Sequence, residues 1–243
     1  MDPSQLPDLS ITANRRVSLT VPNAQRRNFV NTFQTRATAI TIATIDLAAL
    51  PMRRSCRSFS DDLLVGIGLL THYVSSNGKL GLKLRCRVMQ SWSADHTLLQ
   101  WLNDELAAGE LMIGYELVDR VVPFLSERAK TGDFPHLRRL TSPGADGVFD
   151  LTEPGPPGRT ISFELACADA GIPMPIGEWR IGHDGRQPSF NPAVEKRLGM
   201  YAVASWRLWA KRHGERLDGR GLLADVLPSV DRWLWNSVNR QPR

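Results

Sequence analysis

The chain has 243 residues, 42% hydrophobic and 23% charged, so it can bury a sizeable core as one large domain with extensions. Its formal net charge of +5 is compatible with an anionic partner such as nucleic acid, although dispersed surface arginines give the same total. Three widely spaced cysteines argue against a disulfide framework or a zinc motif, and no run approaches the ~18 apolar residues of a membrane span, so we expect a cytoplasmic protein without a membrane partner.

The first strong structural signal lies near residue 40. Residues 1–37 mix proline, asparagine, serine and arginine around one short apolar alternation, which predicts an N-terminal arm or an added edge strand. Residues 39–45 are rich in β-branched side chains and carry no charge until Asp46, which predicts a buried central strand. Asp46 is therefore a lone carboxylate at the end of a strand.

Two more strands are predicted to follow. Residues 63–70 form an apolar run in which Gly66 and Gly68 allow a bulge or the close approach of another backbone. A Ser-Ser-Asn-Gly turn then leads to residues 80–88, where apolar and polar residues alternate as in a half-exposed antiparallel strand. We expect the first three strands to be antiparallel.

A second lone carboxylate lies at a junction between strand and helix. Ser93 is a suitable N-cap for a helix with one apolar face, made of Leu98, Leu99, Trp101, Leu102 and Leu106. Residues 110–114 then predict a short strand, and a helix runs from about 118 to 129. Asp119 lies where that strand gives way to the helix, which is where open α/β sheets place their chemistry.

The rest of the chain is predicted to be mostly helical. A loop over 141–159 surrounds a brief strand at 148–151, and a helix then begins at Thr160 or Ser162 and ends at Gly171. A strong helix covers about 191–213, and a short amphipathic helix covers 222–235. The order β-β-β-α-β-α followed by helices predicts an α/β fold, with a mixed sheet of about five strands and helices on its faces.

Six segments, taken in order, resemble the RNase H-like 3'-5' exonucleases of the DEDD superfamily. The resemblance is strongest to predicted exonucleases related to the proofreading domain of family-B DNA polymerases. The segments are residues 42–47, 64–69, 98–102, 112–125, 162–173 and 200–205. The resemblance covers about residues 38–214 and leaves 1–37 as an arm and 215–243 as a tail helix. It implies an RNase H-like fold and a nuclease, that is a hydrolase, using Mg²⁺ or Mn²⁺.

The same resemblance assigns site positions to this chain. Its members hold two metals with an Asp-x-Glu pair on the first strand, an Asp after the fourth strand, and a final Asp four residues after a Tyr. Asp46 matches the first Asp, Asp119 the third carboxylate and Tyr201 the tyrosine. The expected Glu falls on Ala48, and the final Asp falls on Ser205. Two of the four metal carboxylates are therefore absent, and neither replacement can neutralise metal charge.

Alternative interpretations exist for each of these residues. Asp46 can serve as a structural cap, and Asp119 in a first helical turn can interact with the helix dipole. Glu116, one turn before Asp119, and Glu195, near the start of the last strong helix, are the candidates to replace a missing ligand. These alternatives leave open whether any metal site remains.

Three functions remain open at this point. The first is a degenerate exonuclease-like protein, or pseudoenzyme, that keeps single-stranded DNA or RNA binding or a structural role. The second is a working metal-dependent 3'-5' exonuclease in which Asp46 and Asp119 hold one metal. The third is a protein-interaction module that uses the arm and the Trp-rich tail. Trp206 and Trp209 lie at helical spacing, which favours a place in the core over base stacking.

Overall fold

Five strands form one mixed sheet in a computed structural model. The described residues are 35–46, 62–89, 95–106, 110–130, 132–140, 147–153, 160–174, 192–215, 218 and 221–239. The strands are β1 (Arg36–Asp46), β2 (Asp62–Val74), β3 (Leu80–Val88), β4 (Leu111–Gly114) and β5 (Val148–Asp150). Their order is β3-β2-β1-β4-β5, with β1, β2 and β3 antiparallel and with β1, β4 and β5 parallel. The predicted α/β fold, with a mixed sheet of five strands whose first three are antiparallel, is therefore confirmed, whereas residues 1–34 of the predicted arm lie outside the described residues.

Helices cover both faces of the sheet. They are α1 (Asp95–Glu105), α2 (Val122–Ala129), α3 (Pro135–Leu140), α4 (Phe163–Asp169), α5 (Pro192–Trp209) and α6 (Leu222–Asn239). Two π-helical turns are present, Leu117–Val121 before α2 and Ala210–Gly214 after α5. Helix α3 was not predicted from the sequence. Within the described ranges, no helix has both the length and the apolar character needed to span a membrane.

Two hydrophobic clusters pack helices against the sheet, and α5 contributes buried residues to both of them. Leu102 of α1, Phe124 of α2 and Leu137 of α3 pack in one cluster with strand residues such as Ile40 and Ile67. The other cluster joins α4, α5 and α6 to the opposite face, and its buried members include Phe163, Trp206, Trp209, Leu223, Ala39 and Leu70. Trp206 and Trp209 are 0% and 1% exposed, so their predicted place in the core is confirmed.

The glycines of β2 let α5 lie directly on the sheet. A Cβ built at Gly68 would lie 2.6 Å from the carbonyl oxygen of Leu198, and one at Gly66 would lie 2.7 Å from the Leu198 side chain. The pairing of β1 with β2 also shifts register between Ala43 and Thr44, opposite this stretch of β2. Both features predicted for these glycines, a close backbone approach and an irregular pairing, are confirmed.

The predicted tail helix is an integral part of the core. Its buried residues, Leu222, Leu223, Val226, Val230 and Leu234, belong to the same cluster as Trp206 and Trp209 of α5. Arg207 of α5 also forms a two-point ion pair with Asp231 of α6, at 2.7 Å and 3.1 Å. Helix α6 therefore packs against α5, and it also contacts the edge strand β3.

Candidate functional site at the carboxyl end of β4

The chain makes an unusual turn directly after β4. Glu116 has φ 51° and ψ 34°, the left-handed conformation that side chains with a Cβ rarely adopt. The next residues, Leu117–Val121, form a π-helical turn before α2 begins. Left-handed non-glycine residues and π-helical turns both occur preferentially at functional sites, where the surrounding structure holds them in place. This turn contains Asp119, one of the predicted site residues.

The end of β5 holds this turn in place. The Glu116 N–H donates to the Thr152 hydroxyl oxygen at 2.7 Å, and the Val118 N–H donates to Asp150 Oδ2 at 2.7 Å. Asp150 Oδ1 accepts from the N–H of Thr152 at 2.8 Å and from its hydroxyl at 2.6 Å. Asp150 was not among the site residues predicted from the sequence. The sequence pattern that could have indicated its role is Asp-x-Thr at the end of a strand, because short polar side chains at such positions form hydrogen bonds with nearby backbone groups.

The side chains of the turn point in different directions. Leu117 is buried in the core, whereas Val118 is 55% exposed and Asp119 is also exposed. Glu116 Oε2 lies 3.3 Å from a guanidinium nitrogen of Arg120, one helical turn away. Glu116, a candidate replacement ligand, is therefore paired with a cation, while the Asp119 carboxylate faces solvent.

A row of three aromatic rings in contact links Tyr201 of α5 to the same turn. The ring centroid of Tyr115, next to Glu116, lies 5.2 Å from that of Phe163, which lies 5.4 Å from that of Tyr201. The Tyr201 hydroxyl donates to Glu164 Oε1 at 2.7 Å. Burial raises the pKa of Tyr201 to about 12, and the hydrogen bond to Glu164 acts in the same direction. Tyr201 is therefore a neutral phenol that keeps its proton and donates it in a hydrogen bond to Glu164.

The other predicted positions lie elsewhere in the fold. Ser205, one turn after Tyr201 on α5, is 3% exposed and lies in the interior. Asp46 pairs through its Cα with Asp62 of β2, roughly 20 Å further along β1 than the last residue that pairs with β4, Ala39. The Asp46 side chain and the whole of Ala48 lie outside the described residues.

Glu195, the second candidate to replace a missing metal ligand, lies near the opposite edge of the sheet. Its charge contributes to the raised pKa of Cys86, a residue of β3. Because β3 and β5 are opposite edges of the sheet, Glu195 is not beside the turn that follows β4.

The described residues do not fit a two-metal site. Within the described ranges, no group of three or more His, Cys, Asp and Glu side chains is placed to hold a metal ion. Around the turn, Glu116 pairs with Arg120, and Asp150 accepts hydrogen bonds from the backbone and from Thr152. Two hard cations need several converging carboxylates, so Asp119 alone does not supply the Mg²⁺ or Mn²⁺ site that the resemblance implies.

Three comparisons with known proteins return nothing similar to this chain: no family model, no curated protein and no solved structure matches it. The functional inference therefore rests on the fold and on where the fold places the predicted site residues.

Proposed function

We propose that this protein is a catalytically impaired relative of the RNase H-like 3'-5' exonucleases that retains binding to single-stranded nucleic acid. The observation that carries the proposal is the burial of Ser205. In the exonucleases this position carries a metal carboxylate, and here a neutral side chain is 3% exposed. A hydroxyl in the interior cannot neutralise a divalent cation, so hydrolysis by two metals is disfavoured.

Nucleic-acid binding does not require the metal site, because phosphate groups are bound by cationic side chains and not by the metal-binding carboxylates. Phosphate backbones are held mainly by Lys and Arg, and the chain has a net charge of +5. Electrostatic binding of this kind does not need carboxylates that converge on a metal. A purely structural role, without nucleic acid, is the alternative that the binding measurement below tests.

The activity is tested with single-stranded DNA and RNA oligonucleotides labelled at the 5' end. We expect no shortening from the 3' end in Mg²⁺ or Mn²⁺ beyond an EDTA control. Shortening that depends on Mn²⁺, is lost in Asp119→Asn and persists in Asp133→Asn would instead establish the working exonuclease. Asp133 is a suitable control because it is an exposed aspartate, 91% exposed in its side chain, in the connection between α2 and α3.

Binding is tested by fluorescence anisotropy with the same oligonucleotides over a salt series. We expect binding at low salt that weakens as salt rises, since phosphate contacts release counterions. Absence of binding at low salt would remove nucleic acid from the proposal and leave the structural role. Isothermal titration with Mn²⁺ adds an independent measurement: micromolar binding that is lost in Asp119→Asn would contradict the loss of the metal site.

A further inference from the structure

The edge strand β3 carries a row of cations on one face. Lys83, Arg85 and Arg87 are exposed and alternate with Leu84 and Cys86. We call these three residues the β3 stripe. Successive members are two residues apart along the strand, which places their Cα atoms roughly 7 Å from one another. Among the described strands, β3 is the last on its side of the sheet, so the stripe lies on an edge strand.

The described residues neutralise the stripe only in part. Its members pair through their Cα atoms with Thr71, Leu69 and Ile67 of β2. Ile67 and Leu69 lie in the cluster with α1, α2 and α3, so the stripe faces that side. Arg85 forms an ion pair with Glu105 of α1. Within the described ranges, Lys83 and Arg87 form no ion pair.

The opposite face of β3 has a different role. A Cβ built at Gly199 of α5 would lie 3.3 Å from both Cys86 Sγ and a Leu84 methyl carbon. Leu84 and Cys86 therefore pack beneath α5, while the stripe remains in solvent. Cations on an edge strand can simply prevent pairing with other chains. Three cations on one face also repel one another. Among the described residues, Glu105 is the one carboxylate that pairs with the stripe. An anion bound across the three cations would offset their repulsion.

We propose that the β3 stripe binds the phosphate backbone of single-stranded nucleic acid; this inference rests on the nucleic-acid binding proposed above and adds where that binding occurs. Regularly spaced cations along an extended strand match a polymer with one negative charge per nucleotide. The stripe is also separate from the turn after β4, because three strand spacings, roughly 14 Å, lie between β3 and β4.

The test removes Lys83 and Arg87, the two cations of the stripe that form no ion pair with another described residue. Lys83→Gln with Arg87→Gln is compared with Lys130→Gln with Arg232→Gln, which removes one exposed lysine and one exposed arginine elsewhere. Anisotropy with single-stranded oligonucleotides is measured over a salt series. We expect the stripe variant to bind about tenfold more weakly or worse, with a salt slope smaller by roughly 1.4, and the control variant to change less than about twofold.

Each alternative outcome overturns a different statement. If the wild type binds and the stripe variant binds equally well, or both double variants weaken equally, the stripe is not the binding site and the proposed function stands. If the wild type does not bind at low salt, both the stripe proposal and the nucleic-acid function are wrong. Urea unfolding of both variants supplies the folding control, and we expect wild-type stability because every replaced side chain is exposed.

Discussion

Two predicted site residues differ in burial, a difference that the sequence alone does not show. Asp119 and Ser205 both occupy positions assigned by the exonuclease resemblance, yet Asp119 is exposed and Ser205 is 3% exposed. Both lie in helical segments with apolar neighbours, so local pattern does not distinguish them. The difference arises because α5 packs against the sheet and also against α6, which leaves few exposed positions on that helix.

Ser205→Asp tests this assignment at the scale of one residue. The substitution places a carboxylate in the interior, so we expect it to lower the free energy of unfolding by about 3 kcal/mol or more and to create no Mn²⁺ binding. Ser205→Ala is the matched control, and it costs about 1 kcal/mol or less. Urea denaturation followed by circular dichroism measures both. Unchanged stability in Ser205→Asp, together with new Mn²⁺ binding by titration calorimetry, would place residue 205 in an open cleft instead.

Individual elements followed the sequence patterns closely where those patterns were long. Leu98, Leu99, Leu102 and Leu106 are buried as the helical periodicity predicts. Ser162 caps α4 by accepting from the Leu165 N–H at 3.3 Å, and Gly171 follows that helix with φ 67°. Helix α3 was missed because its six residues are too few to show a period, although Pro135 at its first position is a typical start.

The contact between β2 and α5 gives a prediction at the scale of elements. In Gly68→Ala, the new methyl group meets the backbone of Leu198, which cannot move without α5. We expect a loss of about 1–3 kcal/mol of stability in urea unfolding.

Gly81→Ala is the matched control in the neighbouring strand β3. There the new methyl group meets the ring of Tyr73, which is 37% exposed and can turn away, so we expect a clearly smaller loss. Equal losses in the two variants would show that α5 is free to shift away from Gly68.

The whole molecule depends on α6 to complete its core. Leu234 is 0% exposed, whereas its neighbour Trp235 is 62% exposed. We expect Leu234→Ala to lower the free energy of unfolding by about 2–4 kcal/mol, because it removes buried apolar volume, and Trp235→Ala to lower it by less than about 1 kcal/mol. Urea unfolding monitored by near-ultraviolet circular dichroism compares them. Similar small effects would mean that α6 is a dispensable extension.

A half-buried thiol, Cys86, and a buried one, Cys167, predict how stability changes at alkaline pH. Burial raises the pKa of Cys86 and of Cys167 from 9.0 to about 12, and Glu195 and Glu164 respectively add to the effect. Below pH 9 the thiols are protonated in both the folded and the unfolded chain, so their ionisation does not lower the free energy of unfolding there. Between about pH 9 and pH 12 the unfolded thiols ionise first, and stability falls by up to ~1.4 kcal/mol per pH unit for each thiol.

The measurement is the urea midpoint from pH 8 to pH 10.5 for the wild type and for Cys86→Ala with Cys167→Ala. We expect the wild type to lose stability more steeply above pH 9 than the double variant. The slope is compared, so any constant destabilisation by the alanines does not affect the result. Parallel declines would show that these thiols ionise equally in both states.

The sequence by itself determined the strands, most helices and the mixed sheet, because the two-residue and 3.6-residue periods of apolar side chains are local properties. Only the tertiary structure decided which polar groups meet. Thr38 bonds to Thr71 at 2.6 Å and to Glu110, whose carboxylate lies 3.3 Å from Arg36. Asp150 likewise holds the turn of Asp119 from another strand. Strand order and register determine such partners, because they bring together residues that are far apart in the chain. No periodic pattern of the sequence indicates these pairings.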